Sequence, residues 1–365
     1  MQTFIRTLTV AVAMFMVLIV GCSGARPKKE LPPTGKVKAV VEREVEKKGA
    51  ISLEVKQIEE LAERSTADKG AEALLTPQRV ATIGDFFEHY DVGPDNAIVA
   101  SVYNKDGKSG SDIWIFKTGK TRLTKTNYFH YTPSFSSDGN AVYFVSDRGK
   151  KPTSEYDQTS YVWRIPSNGA GGITRIGTPC FRYDAPVESP SGRYILVSAK
   201  EFYQTDFFVW YMERNGALPT QLKQGFGARW LGDRKIIFQS RDENTGRLSI
   251  WTCNLDGSNL TQIISDPEMD CLMPAPSPNG ELVAYVKQKH LSKKDVGDLD
   301  KLSEVLNSRD IYIYKYKDGL SQQITTNISR DDIPRWSPDG KFLYFRSSRG
   351  LSWNIWRLST DFLQH

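Results

Sequence analysis

Histidine is the side chain most readily recruited to acid–base or metal chemistry near neutral pH. This chain holds four: His89, His130, His290 and His365. None stands in an H-E-x-x-H pattern or another close ligand pair, and no G-x-S-x-G nucleophile elbow occurs. Four strings nevertheless gather groups that grip rather than cut. They are His89-Tyr90-Asp91, His130-Tyr131-Thr132, Phe181-Arg182-Tyr183-Asp184 and Arg330-Asp331-Asp332. Tyr, Arg, His and Asp converging on one opening would hold a peptide or a cation; the same residue types also serve as turn caps and satisfied interior polar groups. No catalytic set, metal site or cofactor is expected. Asp138, Asn279 and Asp339 each precede a glycine, which marks them as turn residues rather than acids or bases.

What would bring those strings together is repetition. The clearest unit runs Pro334-Arg335-Trp336-Ser337-Pro338-Asp339-Gly340, then an apolar strand, a Ser/Arg/Gly turn and Asn354-Ile355-Trp356-Arg357-Leu358. Others begin at Pro133, Pro186 and Pro274, and a worn copy begins at Arg229-Trp230-Leu231-Gly232-Asp233. A sixth, lacking the opening Ser-Pro, starts at Asp95-Asn96 and continues through Ala97 to Tyr103. Spacings of about 40 to 60 residues, with up to four short strands per unit, suit sheets that bury their faces only by stacking on one another. The expected fold is all-β: a six-bladed β-propeller of four-stranded blades over residues 77–365. The last unit ends one strand short near Ser359. Arg79-Val80-Ala81-Thr82-Ile83 is expected to supply the missing strand and tie the ring shut, and residues 84–92 to form the first innermost strand. Insertions at Lys150 to Thr159 and Lys287 to Arg309 would project from a face, the second with a short helix near Leu299 to Leu306.

The strings FSSDG, SPSG, SPNG and WSPDG, followed by SDRG and IWRL, resemble the TolB-like, or PD40, propeller repeat over about residues 79–360. The resemblance implies a ring that docks envelope proteins through its rim and funnel. The chain departs from TolB itself, because the stretch between Cys22 and Pro77 is too short and too charged for the α/β domain that precedes the TolB ring. Related propellers precede hydrolase domains, but no α/β domain is expected after this one.

Upstream, Arg6 and the uncharged stretch Thr7 to Val20 read as an export signal over residues 1–21, too short for a bilayer span. Leu18-Ile19-Val20-Gly21-Cys22-Ser23 resembles a bacterial lipobox. That resemblance implies acylation of Cys22, with palmitate-type chains anchoring the protein durably, and, with Ser23 after the Cys, an outer-membrane address facing the periplasm. Residues 22–49, with Pro27, Pro32, Pro33 and Gly35, read as a linker. Residues 50–76 carry Ile51, Val55, Ile58 and Ala62 at helical spacing. After Cys22, three cysteines remain: Cys180, Cys253 and Cys271. Export permits a Cys253–Cys271 disulfide, and buried free thiols are equally open. The net charge of +5 gives nucleic-acid binding no support. The expected function is a non-enzymatic envelope lipoprotein whose propeller binds another envelope protein or peptide. The alternatives are peptidoglycan or glycan binding, or a hydrolase or lyase acting in the channel.

Overall fold

Hairpins are set by the repeated Ser-x-Asp/Asn-Gly turns. Ser136, Ser277 and Ser337 each donate a hydrogen bond, 2.6 Å long, to the side-chain oxygen of Asp138, Asn279 and Asp339. The following glycines, Gly139, Gly280 and Gly340, take positive φ (70°, 74° and 71°), a conformation open to them at little cost. The structure, a computed structural model, describes residues 76–81, 87–104, 110–149, 160–177, 181–201, 206–349 and 352–363. The export signal, Cys22, the linker and the helical segment up to residue 75 lie outside the described residues, as do Cys180 and the insertion 150–159.

After a short strand β1 (Gln78–Ala81), the chain lays down six antiparallel sheets in sequence order. Blade 1 is β2 (Phe87–Val92), β3 (Ile98–Tyr103), β4 (Ser111–Phe116) and β5 (Lys120–Arg122). Blade 2 is β6 (His130–Phe135), β7 (Ala141–Ser146), β8 (Tyr161–Pro166) and β9 (Thr174–Ile176). Blade 3 is β10 (Phe181–Glu188), β11 (Tyr194–Glu201), β12 (Phe208–Glu213) and β13 (Thr220–Gln224). Blade 4 is β14 (Phe226–Trp230), β15 (Lys235–Arg241), β16 (Leu248–Asn254) and β17 (Thr261–Ile264). Blade 5 is β18 (Met269–Pro276), β19 (Leu282–Lys289), β20 (Asp310–Lys315) and β21 (Leu320–Gln323). Between β19 and β20 sits helix α1 (Leu299–Asn307), the short helix expected in that insertion. Asp298 caps it, accepting from the Asp300 and Lys301 amides at 3.0 and 3.1 Å. Blade 6 is β22 (Asp331–Trp336), β23 (Phe342–Ser347) and β24 (Asn354–Ser359).

The fourth strand of blade 6 is β1, which pairs antiparallel with β24. The expected closure therefore stands, and the first innermost strand falls inside the expected 84–92. Alternation places one face of each strand against the next blade. One apolar cluster joins blades 1 and 6 through Tyr90, Ile98, Ile333, Tyr344 and Ile355. Another joins blades 2 and 3 through Tyr143, Val162, Tyr183, Val197 and Met212. Cys253 and Cys271 are buried free thiols, and burial pushes them up to about 11 and 12. No disulfide joins them.

Candidate functional site: the channel wall

Each innermost strand carries the same defect. Its pairing with the second strand slips once, between Phe87/Tyr90, Tyr131/Ser134, Asp184/Val187, Phe226/Arg229, Leu272/Ala275 and Asp332/Arg335. These are β-bulges in register around the ring. At the bulge, Thr132, Ala185, Gly227, Met273 and Ile333 take positive φ. In four blades the next residue is proline, which has no N–H to leave unpaired. The freed amides reach sideways. Gly227 N donates to Ser198 Oγ at 3.0 Å and Ala185 N to Thr132 Oγ1 at 3.2 Å, both across a blade boundary. Tryptophan does the same below the bulge: the Trp336 and Trp230 indoles donate to the carbonyls of Ala275 (2.8 Å) and Val187 (2.9 Å).

The bulge sorts the sequence candidates by level. Tyr131, Asp184 and Asp332 stand at one level, immediately before it. Arg182 lies near both Tyr131 and Asp184. Their immediate neighbours in sequence turn the other way, because side chains alternate along a strand. Tyr183 is buried in the cluster between blades 2 and 3. Asp331 is buried and paired with Arg349 at 2.5 Å, and burial lifts its carboxyl to about 6. His130 is buried between blades 1 and 2. Its Nδ1 meets Ser146 Oγ and its Nε2 meets Thr126 Oγ1, both at 2.8 Å. Its ring stands edge-on to Phe144, and burial pulls its pKa down to about 4. His130 itself is thus a satisfied interior group rather than part of the mouth, while Tyr131 of the same string stands on the other side of the strand. Tyr90 is also interior, its hydroxyl donating to the Ile333 carbonyl at 2.8 Å and so joining blade 1 to blade 6.

His89 and Asp91 do belong to the channel side, at and below the bulge. Burial, then Arg346 and Arg335, hold the His89 imidazole neutral, down to about 3. Its Nδ1 is shielded from water and has no hydrogen-bond partner. Glu88 beside it is raised by burial, against a hydrogen bond from Tyr103 and the field of Arg346.

Asp332 is a hub that its sequence string did not reveal. Arg309 (3.0 Å), Arg330 (2.7 Å) and Arg346 (2.7 Å) all converge on its fully buried carboxylate. Burial alone would raise it, but the fields of the three guanidinium groups win and hold it far below the usual carboxylate range. Arg309 comes from blade 5, and Arg346 also donates to the Glu88 carbonyl of blade 1 at 2.9 Å, so one carboxylate ties three blades. Arg330 and Arg346 lie over the Trp353 ring, at 5.1 and 4.6 Å from its centroid. Sequence reasoning also passed over Glu188. It accepts from Ser137, Tyr143 and Arg214 and pins blade 3 to blade 2. It passed over Arg229 and Arg335 as well, although the Arg-Trp dipeptide recurs in both units and signals one position of the repeat. Among the described residues no group of three or more His, Cys, Asp or Glu is placed to hold a metal ion, and no helix is long and apolar enough to cross a membrane.

Together the ring and the in-register bulges define a six-bladed β-propeller, the fold also found in TolB. A scan against known protein families finds no match. An uncharacterized protein of Agrobacterium fabrum is 27% identical over 220 residues, covering 58% of this chain and 68% of that protein. Among solved structures, TolB of Acinetobacter baumannii matches at a TM-score of 0.50 and 14% identity, over 76% of this chain and 65% of its own, so the chain spans just under two thirds of that TolB. An oligogalacturonate lyase of Vibrio parahaemolyticus matches at 0.50 and 12% identity, over 78% of this chain and 93% of its own. At such identities the likeness is one of fold, and fold does not carry function.

Proposed function

We propose that this protein is a cell-envelope interaction module whose channel takes a peptide segment of another envelope protein, without turnover. The observation that supports it most is the channel wall itself. Half-buried Tyr131, Arg182, Asp184, His89, Arg229 and Arg335 all stand on the innermost strands of the ring, at or beside the bulges, and supply aromatic and hydrogen-bonding groups there. Such anchors carry most of the energy of a peptide interface. In this reading Cys22 is acylated, residues 22–49 give reach, and the ring works in the periplasm from the outer membrane. The lipobox string and the TolB-like fold support that placement.

The test is in-cell crosslinking with intact membranes, using a photoreactive residue at position 131 and another at position 339 on an exposed turn. A discrete protein adduct from position 131 alone is expected. No adduct from the channel position, or turnover of peptidoglycan, glycan or peptide by the purified chain, would overturn the proposal. The anchor is tested separately: Cys22→Ala should abolish fatty-acid labelling and release the protein from membranes.

A further inference from the structure

Directly below the bulge, the same position of the repeat is Arg229 in blade 4, Ala275 in blade 5 and Arg335 in blade 6. Two guanidinium groups thus flank the short alanine of the blade between them. Each is poorly satisfied by the protein. Arg229 makes no ion pair among the described residues, and its one hydrogen bond runs from Nη1 to the carbonyl of its own neighbour, Ala228, at 3.4 Å. Arg335 donates from Nη1 to the Pro334 carbonyl at 2.8 Å, and its Nε stands 3.5 Å from Asp91 Oδ1. Asp91 acts on both guanidinium groups but carries a single charge, and its other oxygen is held by the Phe135 amide at 3.0 Å.

Arg229 lies within the field of Arg335, and like charges sharing a protein-walled site are unfavourable unless an anion joins them. Burial first, and Arg335 second, bring Arg229 down to about 9, against the opposing fields of Asp91 and Asp184. Neutral His89 lies within the fields of Arg335 and Arg229, with its Nδ1 unpartnered. A guanidinium fork matches a carboxylate in shape, offering two parallel N–H···O bonds.

We infer that the channel waist between Arg229 and Arg335 is a carboxylate-binding subsite, taking an acidic side chain or the free C-terminus of the docked segment. The inference rests on the reading that the channel receives a peptide. The anion bridges the two forks and cancels their repulsion, and the ring above it, from Tyr131 to Asp184, holds the flanking residues. Specificity follows from the cost of leaving Arg229 unpaired, and Arg335 with only its 3.5 Å contact to Asp91, when a neutral peptide is offered.

The experiment measures binding to the full-length, detergent-solubilised protein by calorimetry at two salt concentrations. The probes are amidated hexaglutamate, amidated hexaglutamine, hexaglutamine with a free C-terminus, and trigalacturonate. Binding by amidated hexaglutamate assigns the site to acidic side chains, and binding by the free-ended hexaglutamine assigns it to a C-terminus. Either is expected to weaken with salt and to weaken at least tenfold in Arg229→Gln, with amidated hexaglutamine inert. Arg229→Lys, which keeps the charge but not the fork, should fall between, and Lys341→Gln, on an exposed turn, should bind like the parent. Melting curves check that each variant is folded; should Arg229→Gln not fold, Arg229→Lys decides. Equal affinity of parent and Arg229 variants, no binding by either carboxylate peptide, or binding by trigalacturonate alone would overturn the inference. The position-131 crosslink separates the two readings. If the adduct survives while the carboxylate probes fail, only this inference falls. If the parent gives no adduct, the docking reading falls with it.

Discussion

A buried histidine with both ring nitrogens engaged is a stability element with a pH signature. Unfolded, the His130 imidazole takes up a proton near pH 6.5; folded, burial outweighs the field of Asp112 and delays uptake to about pH 4. Between those values the unfolded state binds the extra proton, so stability falls as pH falls through this window and is fully present above it. His89 acts in the same direction, whereas Asp331, raised to about 6 by burial, acts in the opposite one. The contribution of His130 is therefore read by difference. His130→Gln should lower stability at pH 7.5 through the lost hydrogen bonds. It should also flatten the decline between pH 6.5 and 4 by up to one proton, or about 1.4 kcal/mol per pH unit. Urea denaturation of both proteins at half-unit pH steps measures this, and parallel curves would exclude it. The sequence offered His130 as a candidate for contact with a partner, and nothing in a single string could tell a strand's channel side from its blade side. That choice depends on the strand's phase, which the bulge shifts.

At the scale of the element, the turns were legible and the bulges were not. Ser-Pro-Asp-Gly spells a hairpin locally, because the serine–aspartate bond and the glycine φ lie within a few residues. A bulge is defined against a partner strand, so Thr132, Ala185, Met273 and Ile333 look like ordinary strand residues until the register is known. Only the prolines after them hint at an unpaired site. Blade 4 hides best, because Gly225-Phe226-Gly227-Ala228 replaces the proline string with glycines. These glycines serve different physical ends. Gly225, between β13 and β14, has φ of 152°, and a Cβ there would stand 2.7 Å from the Gln239 carbonyl oxygen and 2.6 Å from the Phe238 ring. Gly232, in an open turn with φ of 73°, has nothing within 4 Å. Gly232→Ala should therefore cost about 1 kcal/mol of backbone strain alone. Gly225→Ala should cost about 2 to 4 kcal/mol, since backbone must move as well. Equal losses in chemical denaturation would show that the close approach at Gly225 is relieved without cost.

At the scale of the whole ring, one contact joins its first strand to its last. Counting strands pointed to it, because six units with one strand short leave a deficit for an upstream segment, expected at residues 79–83 and found at Gln78–Ala81. The ring does not depend on β1 alone. Tyr90 bonds Ile333, Arg346 bonds Glu88, and the Tyr90–Ile98–Tyr344–Ile355 cluster fills the same boundary. Deleting residues 78–81 should consequently leave a folded propeller rather than an unfolded chain. It removes the ladder from Gln78, Arg79 and Ala81 to β24 and the packing of Val80. At about 1 kcal/mol per ladder bond and about 1.5 kcal/mol for the valine, the loss should be about 3 to 5 kcal/mol. It also turns β24 into a bare edge open to pairing with another molecule. Hydrogen exchange should then quicken in β24 amides facing the removed strand, while β7 and β11, on the far side of the ring, keep their protection. The deletion protein should self-associate as its concentration rises. Unchanged exchange in β24 together with an unchanged urea midpoint would mean that the upstream strand is an ornament and that the ring is closed by its blade boundaries alone.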